Sequence, residues 1–166
     1  MPLFLVSNGA MQSTAAPVAV TTGTAIKTML QVRPLVLLYV IEWGFSFDAS
    51  ALAAPIRVEL ITSGTVFATV TAAAEADVTK IDNTAAVAAT YMTLSTTGTG
   101  YTASAEGTVT ATRNLDAPFF ASVLSQPYQK QIPLGQYPVL PIGDAGRIRV
   151  TAAAALNMYC YMKLST

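Results

Sequence analysis

The sequence predicts an all-β domain, a jelly-roll or related antiparallel β-sandwich. Apolar residues recur with period two along short segments, and Gly, Pro, Asp and Ser clusters separate those segments. No stretch holds the i, i+3, i+4, i+7 spacing of an amphipathic helix beyond a turn or two. Many short strands punctuated by turn signals favour a sandwich over any α/β arrangement. At 166 residues the chain is long enough to bury about two thirds of its unfolded surface without a disulfide or metal.

Taken in order, Ile26, Thr28, Leu30 and Val32 alternate with Lys27, Met29, Gln31 and Arg33, and Pro34 then ends the strand because it cannot donate to a ladder. Leu35 to Asp48 is the longest extended segment, with Tyr39, Ile41, Trp43, Phe45 and Phe47 expected on one face and Glu42, Gly44, Ser46 and Asp48 on the other. After a turn over 49–55, Ile56, Val58 and Leu60 alternate with Arg57 and Glu59. Val66 to Thr71 suggests a strand and Ala72 to Asp77 a short helical turn, while the middle of 67–89 suggests nothing definite. Strands are expected over 90–94, 107–112 and 119–124, with a Ser/Thr/Gly surface loop over 95–104. Gln131 to Gly135 and Pro138 to Ile142 are extended and proline-punctuated, and Gly143-Asp144-Ala145-Gly146 makes a turn. Ile148 and Val150 then face inward, and Leu156, Met158, Cys160, Met162 and Leu164 line one face of a closing strand. Residues 1–24, poor in charge and holding Gly9, Pro17 and Gly23, are expected to be an N-terminal arm that orders against a partner, with residues 25–166 forming the sandwich.

Charged residues make up only 11% of the chain, against roughly 25% in an average domain, so some apolar surface is expected to meet partners. Nine basic residues balance nine acidic ones and are spread thinly, whereas a phosphate-tracking groove needs clustered cations; nucleic acid is not an expected partner. The longest apolar run, Leu35 to Ile41, is far short of the ~20 residues that span a bilayer as a helix, so no membrane association is expected. The opening Met1 to Val6 has no basic residue before Lys27, a poor fit to a signal peptide.

The chain has no histidine, which removes the usual general base and the commonest metal ligand. No catalytic, metal or cofactor site is expected. Cys160 falls in the apolar phase of a strand, as a small core residue does. Glu42 and Glu59 could face each other across a cleft if their strands paired, but each sits at an outward position where a solvated charge is the default. Glu75, Asp77 and Asp82 lack the ligand spacing of a calcium loop. Trp43, Phe45 and Phe47 at i, i+2, i+4 suggest core more than a sugar platform. The candidates for partner contact are Leu3, Phe4, Leu5 and Val6 in the arm and Phe119, Phe120, Tyr128 and Tyr137, which lie in sequence without clean alternation.

Five strings, Glu42 to Asp48, Pro55 to Leu60, Gly100 to Thr108, Lys130 to Gly135 and Arg147 to Ala152, resemble those of a family of jelly-roll virion proteins of tailed bacteriophages. The likeness runs from about Thr24 to Leu164 and lies in strand and turn signatures, not in a site motif. It implies a virion structural protein, most simply a head decoration protein on the outer capsid surface. Such a protein would bind the major capsid protein and associate with itself as a homotrimer. A tail or baseplate component and a carbohydrate-binding module on the virion are the alternatives it leaves open.

Overall fold

The computed structural model describes residues 2–9, 20–48, 55–82, 85–109, 113–120 and 127–166. Strands there are Leu3–Ser7 (β1), Val20–Thr21 (β2), Lys27–Val32 (β3), Leu38–Phe47 (β4), Ile56–Thr62 (β5), Thr69–Ala72 (β6) and Val78–Lys80 (β7). They continue with Gly100–Ala105 (β8), Arg113–Asp116 (β9), Phe119–Phe120 (β10), Tyr128–Gln131 (β11), Val139–Leu140 (β12), Gly146–Thr151 (β13) and Asn157–Ser165 (β14). A 3₁₀ turn at Glu75–Asp77 and a single helical turn, α1, at Ala88–Tyr91 are the helical pieces.

Because side chains alternate across a strand, an apolar phase is buried only when its neighbours share it. The strands meet that condition in two antiparallel sheets. The first runs β11-β4-β14-β1-β7, with β12 beside β4 and β2 beside β14; the second runs β10-β5-β13-β3-β8-β6, with β9 beside β5. Phe4, Val6, Trp43, Phe45, Met158, Cys160, Met162 and Leu164 from the first sheet share one buried core with Leu30, Ile56, Val58, Leu60, Ile148 and Val150 from the second. The molecule is a β-sandwich.

Two β-bulges change which residues face inward. Along β4, Glu42 opposes Lys163 but Val40 opposes Leu164, so Ile41 is an extra residue and the phase flips across it. Leu38 and Val40 are fully buried before the bulge, Trp43, Phe45 and Phe47 after it. The single phase expected from Tyr39 to Phe47 is therefore broken, and Tyr39 and Ile41 are only half-buried. Along β3, Ile148 opposes Leu30 and Arg149 opposes Thr28, which makes Met29 the extra residue.

The outer face of the second sheet carries a further layer. Ala68, Val70 and Ala103 form a small cluster of their own, and two of the side chains buried on this face, Gln31 and Arg147, are polar. Gln31 Nε2 donates to the Gly98 carbonyl at 2.7 Å while its Oε1 accepts from the Ala68 N–H at 2.8 Å. Arg147, wholly buried, donates to the carbonyls of Glu106, at 3.0 Å, and Val66, and faces the Glu106 carboxylate at 3.6 Å. Burial lowers the Arg147 pKa to about 10.

Several segments depart from expectation for identifiable reasons. Gly100–Ala105 lies inside the expected surface loop yet pairs with β3 and β6. A Cβ at Gly100 would stand 2.2 Å from the Thr71 carbonyl oxygen, so this glycine serves close strand approach and not a turn. Residues 90–94, expected as a strand, instead end α1 and make isolated bridges, Met92 with Pro34 and Leu94 with Thr99. Residues 107–109 are not strand, and 110–112 and 121–124 lie outside the described residues, as do 49–54.

The start of the expected arm is built into the sandwich. Leu3–Ser7 pairs with β14 on one side and β7 on the other. Asn8 extends this pairing: its N–H donates to the Cys160 carbonyl at 3.0 Å, its Oδ1 accepts from the Cys160 N–H at 2.8 Å, and its Nδ2 donates to the Met158 carbonyl at 2.8 Å. Burial of Phe4 and Val6 outweighs the low charge that suggested a loose segment. Residues 10–19 lie outside the described residues, and Val20–Thr21 pairs with the start of β14.

On the first sheet the backbones approach closely at Gly44, where a Cβ would meet the Tyr128 carbonyl at 2.6 Å and the Tyr161 ring at 2.9 Å. Gly44→Ala is expected to push β11 off β4 and lower stability by about 1–3 kcal/mol, read from denaturant unfolding with an unchanged slope.

Candidate functional site

The expected partner-binding residues do not form one surface. Phe4 and Val6 are core, and Leu3 and Leu5 are half-buried. Phe120 packs against Phe45 and Phe47 at ring distances of 5.4 and 6.2 Å. Tyr128 stacks on Phe45 at 5.0 Å, Tyr137 is half-buried, and only Phe119, 69% exposed, is open. The aromatic content that marked these positions reflects a core cluster around Trp43, Phe45 and Phe47.

The acidic residues considered for chemistry are each in structural use. Glu42 and Glu59 lie in different sheets. Glu42 accepts from Tyr161 at 2.7 Å and pairs with Lys163 at 2.8 Å; Glu59 is held between Arg57, at 3.0 Å, and Arg149. The Glu75 carboxylate pairs with Lys80 at 2.7 Å and accepts from the Ala88 and Ala89 N–H groups. Asp77 accepts from the Ala74 N–H and Asp82 from the Leu3 N–H. Among the described residues no group of three or more acidic or cysteine side chains could hold a metal ion. Cys160 is fully buried, and burial raises its thiol pKa well above the ordinary value.

Two features that present open surface bear on function. The first is an apolar end of the sandwich. The links 33–37 and 141–145 cross between the sheets at this end, and they expose Leu35 (47%), Leu37 (42%) and Ile142 (65%). The same end holds exposed Ile81, whose N–H bonds to the Leu3 carbonyl, and Val87, which begins α1; α1 in turn accepts from the Leu35 N–H at the Tyr91 carbonyl. These residues were absent from the expected site because apolar residues in a run such as Leu35 to Ile41 suggest core.

The second is a cleft of about 190 Å³ along the open side of the sandwich, between β9 and β11. Its buried end is formed by Trp43 and Leu60, its walls by Leu115, Ile132 and Pro138, and its exposed rim by Lys130, Pro133 and Gln136. Asp116 ties the two sheet edges here: it accepts from the Tyr128 hydroxyl at 2.9 Å and pairs with Lys130 at 3.0 Å. Among the described residues the buried Trp43 Nε1–H meets no acceptor, an arrangement that costs about 1–3 kcal/mol.

No family model, curated protein or solved structure matches this chain.

Burial, reinforced by the hydrogen bond to Asp116 and its charge, raises the Tyr128 pKa from 10 to about 12. A group whose pKa is raised on folding stabilises the fold below its unfolded pKa and loses that contribution as pH rises through the folded one. Tyr128 should therefore stay protonated where a free tyrosine ionises, and its contribution should fade between pH 10 and about 12. The difference in phenolate absorbance between the native protein and Tyr128→Phe measures this; loss of the hydrogen bond should itself cost about 1 kcal/mol.

Proposed function

We propose that this chain is a virion structural protein of a tailed bacteriophage, a head decoration protein of jelly-roll type. In this reading it binds the major capsid protein on the outer surface of the head and associates with itself as a homotrimer. The observation that carries the reading is the apolar end, where Leu35, Leu37, Ile81, Val87 and Ile142 are exposed together on a chain with few charges. Desolvating such a surface against a partner is favourable in proportion to the apolar area buried. The resemblance of the five strand and turn strings to phage virion proteins supplies the kind of partner, and a closed ring of three copies would grip several capsomers at once and gain avidity.

Binding to purified capsid shells tests this directly. The combined substitution Leu35→Ser, Leu37→Ser and Ile142→Ser should weaken co-sedimentation with shells at least tenfold. Its melting temperature should change little, because the replaced side chains are exposed. Light scattering of the free protein should return the mass of three chains. Undiminished shell binding by the triple variant would remove the apolar end from the reading, and a monomer mass at micromolar concentration would remove the trimer.

A further inference from the structure

We propose that Asn8 is a modification site, a deamidation site that the closed β1–β14 ladder holds off and that opening of β1 releases. Asn8 is followed by Gly9, and a residue without a Cβ leaves its backbone nitrogen unhindered. That nitrogen can attack the asparagine carboxamide. A bond forms between Gly9 N and Asn8 Cγ, the Cγ–Nδ2 bond breaks, and Nδ2 leaves as ammonia with the proton given up by the Gly9 N–H. Water then opens the cyclic imide at either carbonyl carbon, which restores the backbone N–H and leaves an aspartate or an isoaspartate at position 8.

In the closed sheet this ring cannot form. Asn8 is only 1% exposed, and both ends of its carboxamide are held against the β14 backbone. Its Oδ1 accepts from the Cys160 N–H and its Nδ2 donates to the Met158 carbonyl, each at 2.8 Å. Both bonds must break before Cγ can swing back over its own chain to Gly9 N. The rate therefore follows the population in which this end of β1 has left β14.

The product does not fit the place that Asn8 leaves. A carboxylate has no N–H, so an oxygen would face the Met158 carbonyl oxygen where Nδ2 donated, in a buried position. An isoaspartate also routes the main chain through the former side-chain carbon, which lengthens the link between β1 and Gly9. Either product disfavours reclosure, so an opening that outlasts the chemistry becomes permanent.

The test incubates full-length protein in mildly alkaline buffer with and without unfolding urea and follows the Asn8 peptide by mass and by separation of its isoaspartyl form. In urea, Asn8 should convert at least about tenfold faster than Asn83, Asn114 and Asn157, which precede threonine, leucine and methionine. Without urea, its conversion should be at least about tenfold slower than in urea. Gly9→Ala should slow conversion in urea at least about tenfold, a readout that needs no folded variant. Asn8→Asp, and wild-type chains converted in urea and then refolded, should both exchange the β1 amides at least about tenfold faster than unconverted protein. Conversion in urea no faster than at the other asparagines, or unaffected by Gly9→Ala, would overturn the site. Equal rates with and without urea would overturn protection by the ladder, and unchanged β1 exchange after conversion would overturn the permanence of the opening.

Discussion

The ladder between β4 and β14, from Met158 opposite Phe47 to Ser165 opposite Tyr39, is the contact on which the rest of the sandwich depends. It sets Trp43, Phe45 and Phe47 beside Met158, Cys160 and Met162 on one face, which is half of the core. The remaining strands of the first sheet build outward from this pair: β11 and β12 on the free edge of β4, β1 and β2 on the free edge of β14, and β7 beyond β1. β11 lies on the free edge of β4 beside the cleft, with the Tyr128 ring 5.3 Å from that of the fully buried Trp43.

Much of this was legible where one face is buried and the other wet. β14 alternates cleanly, as does the apolar phase of β13, and Ile148, Val150, Met158, Cys160, Met162 and Leu164 are all buried, although Arg147 is buried on the other face of β13. Alternation failed as a guide where a bulge intervenes, because Ile41 and Met29 carry no local mark of being extra; only the register against a distant strand creates the bulge. It failed again at Gly100, since a glycine that admits a neighbouring backbone and a glycine that makes a turn look the same in sequence. Phe120 and Tyr128, two of the expected contact residues, pack inward for a related reason. Phe120 and Tyr128 lie in poorly alternating sequence because their strands are short edge pieces, and short edge pieces can still turn an aromatic ring into the core.

Buried polar groups explain what the apolar pattern could not. Gln31 and Arg147 lie on the outer face of a sheet and would be solvated in a plain two-layer sandwich. Here each is covered by loops and spends its hydrogen bonds on loop backbone groups, so the covering layer is fixed by polar contacts over a small apolar cluster. A buried guanidinium held in this way is costly to leave without partners, which makes the loop conformations near Val66 and Glu106 as specific as the strands beneath them.

The place of β1 has a consequence for how the chain reaches its final form. Leu3 to Ser7 joins the sheet against Tyr161 to Ser165, so the first of the described strands to be made finds its partner only when the last of them exists. Until then Phe4 and Val6 have no core to enter, and β4 has an edge with nothing beside it. Topologies in which such distant segments must meet fold slowly, since loop closure has to be achieved before any contact compensates for it. During that interval the nascent chain presents apolar strand edges to its neighbours, a period in which sibling chains compete with β14 for them.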